Sequence, residues 1–310
     1  MEVKNEKANN LCTALDLAIR DLEVSKDDSK FGYEISGKSY QNYMSNQCWD
    51  SYKENHQQQF KQQFIDGNGG EIKENGLVPP KMASFGSSSR FIYELSKDIP
   101  GFTFEKKLHT YITGKRVGAP ANLDGFLQKG NHYIYVEAKR REIYYSPHKN
   151  EKIKRVYIPV YEKITEECGK DKFHIEPKES EEQDQKKITF YINNKPAQYF
   201  DLKQLICHFL GITYYIAFNN IQNAEVTFLY LIYNPTEVFD YIDEMYKDKI
   251  IDRYKEAKQF IESSSDVIPS IFEAIRQYQI ENNNLANINI SFDFKLVDQA
   301  TYKQAIESIQ

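Results

Sequence analysis

The run AEVTFLYLIYN, residues 224–234, constrains this chain more than any other stretch. A strand with one wet face alternates polar and apolar residues, whereas this one is apolar almost throughout. It reads as a strand buried on both faces, which requires a sheet covered by helices on each side. The segment YFDLKQLICHFLGI (199–212) precedes it and reads as a helix, entered through Asp201 as N-cap and closed by Gly211. Upstream lie a Ser-capped helix, SRFIYELSKD, and three strand candidates, FTFEKKLHTYI (102–112), ANLDGFLQ (121–128) and HYIYVEAKR (132–140). Helix, three strands, insertion, helix, buried strand is a mixed α/β order, with a central mixed sheet flanked by helices.

Around this core the chain divides into three parts. Residues 1–83 form an N-terminal helical region: one amphipathic helix over 9–24, and a second from Ser39 to Ile65 whose inner face is Tyr40, Met44, Tyr52, Phe60 and Phe64. DGNGG (66–70) breaks it, and 78–89 reads as loop. The core spans 84–235 and carries an insertion, 143–200, read as a strand pair with a mobile loop. The insertion includes a charged stretch from Glu162 to Asp184, with nine acids and four lysines. Residues 236–310 are a C-terminal helical extension: helical patterns over about 236–262 and 266–281, the strand INISFDFKL and a terminal helix.

Composition excludes several classes. A net charge of −5 argues against non-specific coating of nucleic acid, though not against a local basic groove. Four widely spaced cysteines without a CxxC pair fit a reducing compartment and argue against a disulfide framework or a zinc site. No h-region and no span of 18 apolar residues is present, so the expectation is a cytoplasmic protein with no membrane contact. The 23 Tyr and 19 Phe serve equally as buried area or as rings that stack on bases.

The chemistry concentrates in 121–142. With Gly130-Asn131 as a two-residue hairpin loop, facing positions sum to 261, so Asp124 falls opposite Glu137 and Asn122 opposite Lys139. Alternation puts Glu137 and Lys139 on one face and Ala138 on the other. Two carboxylates facing each other in an apolar hairpin repel. One must protonate, or a positive group must sit between them. Lys139 meets part of that need; a hard divalent ion held by both carboxylates, a backbone carbonyl and waters meets it fully.

These residues resemble the PD-(D/E)XK nuclease superfamily, whose pattern is an acid on the second core strand and a (D/E)-x-K triplet on the third. Asp124 matches the first element and Glu137-Ala138-Lys139 the second, with Leu123 standing where the motif has proline. The likeness covers about 84–235, and MASFGSSSRFIYEL, ANLDGFL, VEAKRREIY and FDLKQLICHFLGI look like a bacterial branch of restriction-type endonucleases. It implies a restriction-endonuclease-like core and a Mg²⁺-dependent DNA endonuclease, with Mn²⁺ able to substitute. Asp124, Glu137 and the Ala138 carbonyl would ligate the metal, and Lys139 would position or help deprotonate the attacking water. Glu94 matches a position where many members carry a further acid, and reads equally as a surface partner for Arg90; Glu105 is the less favoured rival, read as an exposed strand residue. Gln204 sits where exonuclease-like members have a Gln followed four residues later by Tyr, but here the fourth residue is His208, read with Cys207 as core packing. The basic segment beyond the triplet, with Arg140, Arg141, Lys149, Lys152, Lys154 and Arg155, would hold phosphates beside the scissile bond. The expected partner is double-stranded DNA, cut by a homodimer if both strands are cleaved. The open alternatives are a silent nucleic-acid-binding module on the same fold, or a nuclease acting on RNA or on DNA ends.

Overall fold

The structure, a computed structural model, describes all residues except 1, 26, 65–70, 75–76, 145–150, 179–183, 284, 286–288 and 310, and the side chains of 2–10. Five strands build the central sheet: β1 (Thr103–Leu108), β2 (Ala121–Lys129), β3 (His132–Lys139), β4 (Ala224–Ile232) and β5 (Ile290–Val297). They lie side by side in chain order, β1 to β3 as an antiparallel meander and β3 to β5 parallel. The fold is therefore mixed α/β. The β2–β3 turn is the expected Gly130-Asn131 pair, closed by Lys129 opposite His132, with Gly130 at φ 58. All of β4 except Glu225 is buried, as its unbroken apolar run requires.

Helices cover both faces. On one lies α2 (Ser88–Ser96), capped by the Ser87 hydroxyl, which accepts from the Arg90 N–H. On the other lies α3 (Leu202–Phe218), capped by Asp201 through the Gln204 N–H. Gly211 does not end α3. A Cβ there would stand 2.7 Å from the Leu108 Cβ, so this glycine lets helix and sheet approach rather than stopping the helix.

Several elements differ from the sequence reading. Residues 31–44 form a hairpin, Phe31–Ile35 with Lys38–Met44, turning through Ser36 and Gly37, both at positive φ. Two short helices follow, Asn46–Asn55 and Gln57–Gln63, so no helix begins at Ser39. The expected break at 66–70 lies outside the described residues. In the charged stretch after Glu162, residues 179–183 lie outside the described residues; around them a helix, Ile158–Cys168, packs on α5 (Ile268–Asn283), and Phe173–Lys178 pairs with Gln185–Ile192. The C-terminal strand is no appendage, because β5 pairs with β4 and widens the sheet. The N-terminal helix α1 (Glu2–Val24) packs on the core and on α4 (Glu244–Ser264), and the C-terminal α6 (Gln299–Glu307) packs on the core, where Tyr302 meets Ser96 of α2 at 2.7 Å. Among the described residues no helix is long and apolar enough to cross a membrane.

Candidate active site

At the C-terminal end of β3 the sheet opens into a cleft of about 360 Å³. The β2–β3 ladder is regular from Lys129 opposite His132 to Gly125 opposite Val136, and then stops. Extending it by one residue puts Asp124 opposite Glu137, but there the Asp124 carboxylate itself accepts the Ala138 N–H at 2.7 Å. The side chain replaces the backbone acceptor that the neighbouring strand would have supplied.

The same happens on the other side of Asp124. The β1–β2 pairs sum to 229 both before and after this point, Phe104 facing Gly125 and Lys106 facing Leu123. Glu105 therefore stands opposite Asp124, at the one position where that ladder is missing. Its φ is +56, a left-handed conformation costly for a residue with a Cβ. Glu105, Asp124 and Glu137 thus occupy facing positions on three adjacent strands, and all three line the cleft. The reading of Glu105 as exposed is corrected: it is buried, its carboxylate accepting from the Ser89 hydroxyl at 3.2 Å.

Lys139 lies in the same cleft. Its ammonium donates to Glu137 Oε1 at 2.6 Å and to Gln204 Oε1 at 2.7 Å. Glu137 Oε2 is 3.0 Å from Nε2 of the buried His208, one turn beyond Gln204 on α3. The sequence reading gives His208 a packing role only; the signal for its contact is its i+4 spacing from Gln204. Burial works against the charges of Glu137 and Lys139, but their mutual contact dominates. It draws Glu137 below the usual carboxylate range, aided by His208, and Lys139 well above the usual amine range. Asp124 moves the other way, raised by burial and then by the Glu137 charge. Glu105 is pushed up to about 7 by burial and by Glu71. Glu71 is buried and paired with Lys81 at 2.7 Å across the mouth of the cleft.

The remaining expected residues are divided. Glu94 is not in the cleft: its carboxylate is taken by the Tyr52 hydroxyl and, at 2.7 Å, by Lys97. Arg90, its alternative partner, pairs with Glu23 of α1 instead. Arg140 is buried, bound to Glu23 at 2.8 Å and lying over the Phe91 and Tyr233 rings, so it cannot meet a phosphate. Parity explains this, since residue 140 points to the face opposite Lys139. Arg141 returns to the cleft side and lines it, held by Asp16 at 2.8 Å. Lys152, Lys154 and Arg155 are exposed on and just after the strand Glu151–Lys154, away from the cleft lining. Lys149 lies outside the described residues.

The donors here are hard oxygens, as a divalent ion of the Mg²⁺ type requires. Among the described residues no three His, Cys, Asp or Glu side chains already converge on one point. Charge still fits such an ion. Lys81 pairs with Glu71 and Lys139 with Glu137, which leaves Asp124 and Glu105 as two desolvated carboxyl groups with no ion pair among the described residues. A second depression, about 930 Å³, lies between Ile158–Cys168 and Phe173–Lys178, but none of its charged lining residues is buried. Chemistry therefore points to the carboxylate cleft. Compared with known protein families, curated proteins and solved structures, the chain matches none of them.

Proposed function

We propose that this chain is a metal-dependent DNA endonuclease with a restriction-endonuclease-like core. The observation that carries the reading is the row Glu105, Asp124, Glu137 across three strands, with Lys139 fixed beside it. Asp124 and Glu137, with the Ala138 carbonyl, would hold Mg²⁺ or Mn²⁺, and Glu105 supplies a further acid. Bound there, the ion would polarise the phosphate and lower the pKa of a coordinated water.

The protein's own groups do the rest. Lys139, kept cationic by Glu137 and aimed by Gln204, places fixed positive charge where the phosphate oxygens gain negative charge. His208 steadies the second oxygen of Glu137 from behind. The Ser88 and Ser89 hydroxyls line the wall and position the backbone. Duplex DNA is the substrate this reading favours, with two copies needed to cut both strands.

One observation favours a second reading. Glu137 is already paired with Lys139 and lies 3.0 Å from His208, as expected of a silent binding module on this fold. Calorimetry with Mg²⁺ or Mn²⁺ separates the two, because only the nuclease takes up the ion. The activity test is plasmid cleavage with Mg²⁺, lost on chelation and in Asp124→Ala and Lys139→Ala. Cleavage that survives both substitutions overturns the assignment.

A further inference from the structure

Away from the cleft, one surface combines stacked rings with cations. The short hairpin Tyr111–Ile112 with Lys115–Arg116 turns through Thr113 and Gly114, at φ 51 and 74. Two left-handed residues in a row make a tight turn whose twist matches the strands it joins. The hairpin is tied to α5: Gln279 donates to the Tyr111 carbonyl at 3.1 Å, and the Gly114 N–H donates to Asn283 Oδ1 at 2.5 Å.

So anchored, the Tyr111 ring lies on that of Tyr214 in α3, with centroids 4.0 Å apart and planes within 10°. Tyr214 continues onto Phe218, one turn later, at 5.5 Å and 15°. Three near-parallel rings therefore form a series, and it ends in the open: Phe218 is 66% exposed. A lone exposed phenylalanine is ordinary. One that terminates a stack of near-parallel rings offers a ready face to another flat ring.

The surroundings are cationic. Lys115 and Arg116 are exposed on the hairpin, and the Lys106 ammonium sits over the Phe126 and Tyr215 rings. Exposed His109 resists protonation, through partial burial and then through Arg116 and Lys107, which marks the sign of the local field.

We propose that Tyr111, Tyr214 and Phe218, with Lys115 and Arg116 beside them, form a stacking platform for the unpaired bases of single-stranded nucleic acid. Every base has a π-face, so stacking needs no sequence, and the cations take the phosphates. Flat parallel rings beside cations suit bases better than they suit an apolar peptide, which needs a groove. Gln204, which holds Lys139, lies ten residues earlier on the same helix, about 15 Å away along its axis. A strand held on the platform is thus within reach of the cleft. The proposal does not depend on the cleft's chemistry.

The test is anisotropy of a labelled oligothymidylate with the full chain in excess chelator, so that nothing is cut. Tyr214→Ala/Phe218→Ala should bind roughly ten-fold more weakly, while Tyr214→Phe and Phe218→Trp, which keep a ring, bind as the wild type does. Lys115→Gln/Arg116→Gln should also weaken binding and lower the salt slope by about 0.7 for each phosphate no longer neutralised. Wild-type affinity in the ring-deleted protein, with its melting unchanged, overturns the proposal. So does loss of a dimer in that variant without loss of binding, which would make the face a contact between copies. Failed plasmid cleavage would leave this result untouched, and failed binding here would leave the cleavage test standing.

Discussion

Glu105 offers the sharpest test of how the cleft is held together. Its carboxyl is raised from 4.5 to about 7, by burial first and then by Glu71, with Lys81 and Ser89 opposing and Glu137 adding to the rise. Between those two pH values the folded protein keeps a proton that the unfolded chain has released. The unfolded state then binds fewer protons, so stability falls as pH rises through that window. At about 1.4 kcal/mol per tenfold change in proton affinity, the full loss is about 3 kcal/mol.

Glu105→Gln keeps an acceptor for the Ser89 hydroxyl and the same left-handed backbone, so its difference from the wild type isolates the charge. Urea denaturation in chelator at several pH values is the assay. Well below pH 4.5 both side chains are neutral in the folded and unfolded states, and the two proteins should agree. By pH 8 the variant should be the more stable, by up to about 3 kcal/mol. A stability difference independent of pH, or a variant weaker at pH 8, refutes the reasoning. If the cleft takes a divalent ion, adding Mg²⁺ at pH 8 should stabilise the wild type more than the variant, because the ion answers the same charge.

Other expectations follow from packing and buried charge. Glu23→Ala removes the acid shared by Arg90 and Arg140, leaving two buried guanidinium groups without their ion-pair partner; urea denaturation should show a loss of roughly 3 kcal/mol. Gly125→Ala would place a Cβ 2.4 Å from the Phe102 ring, which is fully buried and cannot swing away. It should destabilise by about 1–3 kcal/mol in the same assay, and tolerance would mean that β1 and β2 are less tightly apposed. Gln204→Ala leaves the Lys139–Glu137 pair intact but frees one donor direction of the ammonium; plasmid cleavage should drop while the fold's melting stays close to wild type.

The legible features were those set by short-range chemistry. Gly130-Asn131 fixes its own hairpin, so the register that brings Asp124 to Glu137 follows from the turn alone. Asp201 and Ser87 announce their helices because each accepts a backbone N–H three residues on. Glu105 escaped because β1 and β2 are joined by twelve residues, 109–120, containing a small hairpin of their own, and no turn signal fixes a register across such a connection. Tyr40 and Met44 lie four apart and so mimic a helix face, although 38–44 is a strand whose partner depends on the Ser36-Gly37 turn. Gly211 could end a helix or admit a neighbour, and only the position of Leu108 decides. Arg140 is different, because strand parity already placed it on the face away from Lys139.

Ion pairs cross the expected boundary at residue 83. A loop does precede α2, but the charges ignore it. Asp16 and Glu23, seven residues and about two turns apart on α1, reach Arg141 on one side and Arg90 and Arg140 on the other. Glu71 reaches into the cleft from the same N-terminal part and, with Lys81, sets the field that Glu105 feels. Buried ion pairs of this kind give little net stability, but breaking one partner is costly. The two arginines that follow the Glu-Ala-Lys triplet are thus committed to holding α1 rather than to carrying charge outward as a basic groove. In the cleft lining, cationic charge is confined to Lys81, Lys139 and Arg141, each already facing an acid. Under the proposed nuclease function, net attraction for a polyanion at the cleft comes from a divalent ion that answers Asp124 and Glu105. On that reading, metal binding is the step on which DNA binding in the cleft depends.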